Sequence, residues 1–168
     1  ILEHKVNLST FGVKSLFLTV HLPSPVMIDY LKKVWNCEIS THYGLTEMGW
    51  GLAVDCDSKS GLHYNELGVI AEVVDPVTGK VLPDGSEGEL VFTSIGYEAM
   101  PLIRYRSRDI SSISSEKCIC GHNLQTLGKV RKRIESIIVL PDGSEIYPTM
   151  FDDILFRFDE VVDYNIYI

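Results

Sequence analysis

A hydroxyl and a carboxylate stand side by side in residues 42–49 (HYGLTEMG). Thr46 can hydrogen-bond a phosphate oxygen, and Glu47 is a hard oxygen ligand of the kind that Mg²⁺ prefers. Gly44 permits close approach of the backbone to a ligand, and Tyr43 offers a flat face to a base. Because loops at the carboxyl ends of sheet strands commonly bind ligands, the stretch indicates a nucleotide site. Short motifs recur by chance, so an ordinary strand and turn is the alternative.

Arginines alternate along residues 100–109 (MPLIRYRSRD). Arg104, Arg106 and Arg108 occupy every second position, which would place them on one face of a strand. Asp109 follows at the end of that strand, where a carboxylate can accept two hydrogen bonds from a ribose diol. The alternative is a charged outer face with one partner acid.

The chain has one cluster of positive charge, in residues 128–137 (GKVRKRIESI). A run this short is usually a solvated face, although it could also bind one phosphate or ribose. The whole chain carries a net charge of −8. A broad nucleic-acid-binding face is therefore not expected.

Cysteine and histidine spacing permits a metal site. Cys118 and Cys120 form a tight Cys-x-Cys pair, and Cys56 and His63 lie upstream. Three cysteines and a histidine can hold zinc tetrahedrally, in a structural role. His122 is a rival fourth ligand, and free loop thiols are the alternative.

The order of predicted elements divides the chain. A strand at 13–18, a helix that begins at Pro25 with Ser24 as its N-cap, and a strand at 38–42 are typical of an α/β layer. Short strands separated by Gly and Pro turns then predict a small antiparallel sheet or barrel. These strands are expected at 69–74, 89–93 and 102–106.

The last part of the sequence predicts the start of a small α+β domain. Segments 137–140 and 145–147 flank a Pro-Asp-Gly-Ser turn, which indicates a hairpin. Thr149 is predicted to cap a helix, with Asp152 in capping-box position. Residues 161–168 then predict a strand.

Composition narrows the class of protein. Hydrophobic residues make up 45% of the 168 residues, enough to bury a core. No apolar run approaches the roughly 20 residues that a membrane span requires. Four irregularly spaced cysteines do not form a disulfide framework, so a cytoplasmic protein is expected. Both ends look cut, which suggests a piece of a longer protein.

Three of these stretches, in this order, resemble the core motifs of the adenylate-forming superfamily. Residues 43–47 match its Tyr-Gly-x-Thr-Glu motif, 105–109 resemble Tyr-Arg-Thr-Gly-Asp, and 132–135 resemble the hinge motif Gly-Arg-x-Asp or Asp-Arg-x-Lys. Residues 89–94 (ELVFTS) and 103–109 are similar to the phenylacetate–CoA ligase branch. Each motif alone is weak, but three in order are specific, and the resemblance covers nearly the whole chain.

The resemblance implies an AMP-forming acid–thiol ligase that uses ATP, Mg²⁺ and coenzyme A. A carboxylic acid substrate would attack the α-phosphorus of ATP, and coenzyme A would then take the acyl group. The implied sites are Tyr43 at the adenine, Gly44 in the nucleotide-binding turn, Thr46 at the α-phosphate, Glu47 on Mg²⁺, Asp109 at the ribose, Arg133 at ribose or phosphate, and Glu135 as hinge. The branch shows a similar cysteine pattern, which strengthens the zinc hypothesis.

The sequence also departs from the family pattern. Residues 20–22 (VHL) stand near the place of the usual Gly-Glu-Pro loop beside the adenine. Arg108 replaces a Gly, as in the phenylacetate branch, and Lys132 replaces the hinge Gly. The Gly/Ser/Thr-rich phosphate loop and the late catalytic Lys have no counterpart, which truncation would explain.

The sequence therefore predicts an α/β plus β fragment of an adenylate-forming enzyme. Residues 1–130 are assigned to the large domain, with an α/β segment to about residue 60 and a barrel-like subdomain at 61–130. Residues 131–168 begin the C-terminal lid domain. The fragment alone is expected to lack full activity, and the parent enzyme could be oligomeric. The alternatives are an adenylating enzyme with another acceptor, a cofactor or carrier protein, and a non-catalytic zinc-stapled scaffold.

Overall fold

The computed structural model describes residues 6–19, 23–158, 160, 161 and 163–167. Its two α-helices are α1 (Pro25–Trp35) and α2 (Pro148–Leu155). Single 3₁₀ turns occur at Leu8–Phe11, Thr46–Met48 and Ile134–Ser136. The strands are β1 (Ser15–Leu18), β2 (Glu38–Leu45), β3 (Gly49–Asp55), β4 (Leu62–Tyr64), β5 (Val69–Val74), β6 (Gly88–Ser94), β7 (Tyr105–Ser111), β8 (Ile113–Ser114), β9 (Thr126–Leu127), β10 (Lys132–Arg133), β11 (Ile138–Val139) and β12 (Glu145–Ile146).

The strands form two main sheets and one hairpin. The larger sheet has the order β1-β2-β3-β4-β9-β8, and the smaller sheet has the order β10-β7-β6-β5. Strands β1 and β2 are parallel and are joined through α1, which is the α/β unit that the sequence predicted. The other pairings in these sheets are antiparallel, and β11 and β12 form the predicted hairpin.

One hydrophobic core joins the two sheets. Leu52 and Leu62 come from the larger sheet, whereas Leu90 and Phe92 come from the smaller one, and all four are buried in the same cluster. The mixed α/β and β fold class is thus confirmed. Within the described residues, however, the sheets stay open and do not close into a barrel.

Helix α1 begins as its sequence predicts. The Ser24 hydroxyl accepts a hydrogen bond from the Met27 amide at 3.2 Å, and Pro25 occupies the first turn. Proline suits this position because the first amides of a helix have no intrahelical acceptor. The helix ends at Asn36, which adopts a left-handed conformation with φ 50°.

The strand predicted at 102–106 is displaced along the chain. Strand β7 begins at Tyr105 and continues to Ser111, so Asp109 lies inside it rather than at its end. Arg104 has a positive φ of 50°, which is incompatible with extended backbone and delays the strand. The amide of Arg104 donates instead to Thr93 Oγ1 at 2.9 Å.

Two predictions in the last part of the chain are wrong. Thr149 does not cap α2, because the helix begins at Pro148 after Tyr147 and Thr149 Oγ1 donates to the Arg131 carbonyl at 2.7 Å. Residues 163–167 of the predicted final strand have no described strand beside them and form no strand. The helix itself is present.

Among the residues described, no helix is long and apolar enough to cross a membrane.

Candidate active site

A cleft of about 610 Å³ opens beside the turn that joins β2 to β3. Strands β7 and β10 and the start of α2 also contribute to its wall. The six residues predicted for nucleotide and Mg²⁺ all line it: Tyr43, Gly44, Thr46, Glu47, Asp109 and Arg133. Side chains that are up to 90 positions apart in sequence therefore face one space.

The first motif forms a hairpin, whereas the sequence suggested a strand that ends in a loop. Strand β2 continues to Leu45 and pairs with β3, with a register shift between Tyr43 and Leu45. Thr46 and Glu47 then lie in a 3₁₀ turn that ends at the buried Met48. The Met48 carbonyl accepts a hydrogen bond from the Tyr97 hydroxyl at 2.9 Å, which fixes the turn at the cleft edge.

Asp109 is the buried acid of the cleft. The Tyr43 hydroxyl donates to Asp109 Oδ2 at 2.7 Å, and Arg133 Nε lies 3.0 Å from Asp109 Oδ1. Burial raises the pKa of Asp109, and the hydrogen bond from Tyr43 and the charge of Arg133 offset this only in part. Burial and the neighbouring Asp109 raise the pKa of Tyr43 well above its usual value, so Tyr43 remains a neutral donor.

Glu47 is oriented by a second tyrosine. The Tyr105 hydroxyl donates to Glu47 Oε1 at 2.9 Å. This hydrogen bond, more than burial, raises the pKa of Tyr105, because the phenol faces a carboxylate. The bond fixes one oxygen of Glu47 at the cleft wall, and the geometry suits a carboxylate held ready for a cation.

Glu89 supports the backbone of the site, and it was not identified from the sequence. Its side chain is fully buried, forms an ion pair with Arg106, and accepts a hydrogen bond from the Arg108 amide at 3.2 Å. Arg108 has a left-handed φ of 68°, and β6 and β7 shift register between Glu89 and Val91. Glu89 thus holds the irregular backbone that comes just before Asp109. The sequence did contain one indication, an acidic residue next to the apolar residues of β6. A buried carboxylate requires a charged or hydrogen-bonding partner, so this residue could have been noticed.

The three alternating arginines do not share one partner acid. Arg104 Nε lies 3.1 Å from Glu72, Arg106 pairs with Glu89, and Arg108 Nε lies 2.7 Å from Glu135. The predicted hinge residue Glu135 is therefore tied to the strand that carries Asp109. The hydrogen bond from Arg108 lowers the pKa of Glu135.

Lys132 links the smaller sheet to the hairpin. Its Nζ lies 2.8 Å from Glu87 Oε1 and 3.0 Å from Glu145 Oε2. It also lies 5.5 Å from the ring centre of Tyr147, a cation–π distance. These contacts bridge Glu87, which directly precedes β6, and the segment after β10.

A second polar cluster lies outside the cleft. The ligand atoms of Cys56, His63, Cys118 and Cys120 are all within 4.8 Å of one another. Burial raises the pKa of the Cys56 thiol, but hydrogen bonds from Ser58 and Ser60 outweigh burial and lower it to about 5. His122, the rival ligand, is exposed, with its ring centre 5.8 Å from that of His63.

Residues 20–22, expected beside the adenine, lie outside the described residues.

Comparison with curated proteins supports the resemblance seen in the motifs, although no family model matches the chain. The chain is 38% identical over 122 residues to a phenylacetate-coenzyme A ligase of Thermus thermophilus, an alignment of 71% of this chain. It is 39% identical over 113 residues, 66% of this chain, to that of Pseudomonas putida. The alignments cover 27% and 25% of those relatives, so the chain spans about a quarter of their length. The predicted resemblance to phenylacetate–CoA ligases is confirmed.

Solved structures confirm the adenylate-forming fold. A 2-hydroxyisobutyryl-CoA ligase in the postadenylation state matches 94% of this chain and 34% of its own, with 24% identity and a TM-score of 0.83. The same ligase in its thioesterification state gives 0.72 over 94% and 34%, also at 24% identity. O-succinylbenzoate coenzyme A synthetase from Bacillus subtilis gives 0.59 at 14% identity, over 95% and 36%. These likenesses show the fold of an adenylate-forming enzyme.

Proposed function

We propose that this chain is part of an AMP-forming acid–CoA ligase that activates an aryl or acyl carboxylate. The main support is that the six motif residues line one cleft. The chain also resembles phenylacetate–CoA ligases over most of its length. In the proposed reaction the substrate carboxylate attacks the α-phosphorus of ATP, and pyrophosphate leaves. The thiol of coenzyme A then attacks the acyl-adenylate and releases AMP.

Asp109 would bind the ribose of the nucleotide. Its two carboxylate oxygens already accept from Tyr43 and Arg133, so the side chain is oriented before a ligand arrives. A carboxylate has further lone pairs, which a ribose diol can use. Tyr43 would lie against the adenine, and Gly44 would let the backbone approach the nucleotide closely. Arg133, whose side chain is 57% exposed, would reach the ribose or phosphate.

Thr46 and Glu47 would act at the triphosphate. The hydroxyl of Thr46 would donate to an α-phosphate oxygen, and Glu47 would hold Mg²⁺ through a carboxylate oxygen. The ion would neutralise charge on the phosphates during displacement. Tyr105 keeps Glu47 at the cleft wall, which supports catalysis by positioning.

Residues 131–168 would form the start of a lid that turns about Glu135 between the two half-reactions. Support comes from the ion pairs of Arg108 with Glu135 and of Lys132 with Glu87, which couple this segment to the sheet that carries Asp109. The carboxylate of each pair is exposed to solvent, and ion pairs at the surface are weak enough to exchange during a domain rotation. None of the four cysteines forms a disulfide, which fits a cytoplasmic enzyme.

Product analysis tests this function and separates the possible acceptors. The full-length protein would be incubated with ATP, Mg²⁺ and a panel of aryl and short aliphatic acids, with and without coenzyme A. We expect AMP and an acyl-CoA thioester from an aryl acid only when coenzyme A is present. Formation of acyl-adenylate without any transfer to coenzyme A would point to another acceptor. No AMP from any acid would contradict the proposal.

A further inference from the structure

Two separations in the cysteine–histidine cluster are close to those that a zinc ion imposes. A tetrahedral zinc ion with Zn–S bonds of ~2.3 Å places two sulfurs about 3.8 Å apart. Cys56 Sγ and Cys118 Sγ are 3.8 Å apart. His63 Nε2 lies 3.2 Å from Cys120 Sγ, slightly less than the roughly 3.5 Å that a shared zinc ion would impose. Three of the four residues are buried and the fourth is half-buried.

Groups around the cluster orient the four side chains. His63 Nδ1 lies 3.2 Å from the Gln125 carbonyl, so an Nδ1–H can donate to that oxygen and leave the Nε2 lone pair directed toward Cys120. Metal-binding histidines in proteins are commonly held in this way. Ser58 Oγ lies 2.9 Å from Cys56 Sγ, and Ser60 Oγ lies 3.1 Å from Cys118 Sγ. These hydroxyls can donate to thiolates.

We infer that this chain binds one zinc ion through Cys56, His63, Cys118 and Cys120. Three thiolates and an imidazole in a tetrahedral arrangement favour zinc over hard cations such as Mg²⁺. The set supplies four protein ligands and so leaves no open position for a substrate, which indicates a structural role. Binding involves no electron transfer, and any thiol protons pass to solvent.

The zinc ion would join three separate segments of the larger sheet. Cys56 directly follows β3, His63 lies in β4, and Cys118 and Cys120 lie in the connection from β8 to β9. Strands β4 and β9 share a register of only two residue pairs, which is a weak link without a further cross-link. Zinc would therefore stabilise this end of the sheet.

The metal would also stabilise the cleft, although it lies outside it. This effect on the cleft rests on the proposed function, whereas zinc binding itself is independent of that function. Strand β3 ends at Asp55, beside Cys56, and its Ala53 pairs with Tyr43 of β2. Asp55 Oδ2 accepts from the Thr41 amide and hydroxyl at 2.7 and 2.8 Å. Loss of zinc would loosen β3 and reduce nucleotide affinity, although none of the four ligands lines the cleft.

Metal analysis of the full-length protein, purified without chelators, tests the site. We expect one zinc ion per chain at this site, lost in Cys118→Ser and kept in Cys37→Ser, a matched change at a cysteine outside the cluster. His122→Asn should keep the metal as well. Cobalt replacement of zinc in the unmodified protein should give the intense visible absorption of tetrahedral thiolate coordination, which requires no variant to fold.

The outcomes separate zinc binding from the proposed function. A folded protein with no zinc and no cobalt absorption would overturn the inference, as would equal metal loss in Cys37→Ser and Cys118→Ser. Chelation should also lower the thermal midpoint of the unmodified protein, and an unchanged midpoint would contradict a structural role. A protein that binds zinc but activates no carboxylic acid would keep this inference and reject the ligase assignment.

Discussion

At the scale of single residues, burial and hydrogen bonding act on Asp109 in opposite directions. Burial favours the neutral acid, whereas Tyr43 and Arg133 favour the carboxylate. The carboxylate is the form that accepts hydrogen bonds from a ribose diol. Nucleotide affinity should therefore depend on the charge of Asp109 and on the two donors that stabilise it.

Asp109→Asn should weaken AMP binding roughly 10- to 100-fold, because hydrogen bonds to a charged group contribute about 1.5–3 kcal/mol. Isothermal titration calorimetry with AMP measures the change. The control is Asp29→Asn on the exposed face of α1, which makes the same chemical change away from the cleft. Equal affinities in the two variants would exclude Asp109 from the ribose site.

Tyr43→Phe should change the pH dependence of AMP binding. The Tyr43 hydrogen bond lowers the pKa of Asp109, so its removal should raise that pKa further above the ordinary value. Since Asp109 would bind ribose as the carboxylate, affinity should fall as pH falls through its pKa. The fall should begin at higher pH in the variant. Affinity measured across the acid range tests this, with Tyr30→Phe on α1 as control. An acid limb that does not move would rule out the coupling.

The sequence specified which residues face the cleft but not how they are held there. Tyr43, Thr46 and Glu47 lie in one short motif, so local spacing was informative. The partners Tyr105 and Glu89 come from other strands, and their contacts depend on sheet register, which local pattern does not encode. The clustering of Cys56, His63, Cys118 and Cys120 was predictable because Cys and His spacing is chemically distinctive.

At the scale of elements, the irregular pairing of β6 and β7 positions Asp109. Glu89 satisfies the Arg108 amide and the Arg106 guanidinium inside this irregularity. A buried carboxylate is costly unless it is paired and hydrogen-bonded, and Glu89 is both. Arg108 has a positive φ, a conformation that usually favours glycine. The hydrogen bond from its amide to the buried Glu89 stabilises this conformation.

Glu89→Gln should destabilise the protein by about 1–3 kcal/mol, because the amide keeps the shape but loses the charge that compensates Arg106. The midpoint of urea unfolding should fall accordingly. AMP affinity should fall as well, since the backbone before Asp109 would relax. Glu116→Gln, at an exposed loop position, is the matched control. A stable variant with unchanged affinity would show that Glu89 does not hold this backbone.

Elements with strong local signals were predictable, and those that depend on partners were not. The start of α1 and the β11–β12 hairpin follow from capping and turn residues. The start of β7 was misplaced, because the left-handed Arg104 is not a glycine and gives no signal in the sequence. Residues 163–167 carry a strand-like pattern but have no described neighbour to pair with.

At the scale of the whole molecule, Lys132 connects the segment after β10 to Glu87, which directly precedes β6. Lys132 stands where the family has glycine, and its side chain is only 16% exposed between Glu87 and Glu145. The contact to Glu87 belongs to the described orientation of this segment. A rotation of the proposed lid would break it.

Lys132→Ala should slow adenylation about 3- to 10-fold, because two partly exposed ion pairs contribute roughly 0.2–1 kcal/mol each. Thioester formation from added acyl-adenylate should not slow, since that step would use a different lid orientation. Comparison of the two half-reactions measures the difference, with Lys129→Ala at a neighbouring exposed position as control. An equal decrease in both half-reactions would argue against a role in lid orientation.

The most direct test of the central claim is carboxylate-dependent ATP–pyrophosphate exchange by the full-length protein. Exchange should occur with an aryl acid, and Glu47→Gln and Asp109→Asn should each reduce it. The Glu47→Gln variant should lose roughly 10²-fold, as expected when a group that stabilises transition-state charge is removed. Asp29→Asn should leave the rate unchanged. A folded protein that shows no exchange with any acid, or exchange that both cleft variants leave intact, would contradict the account.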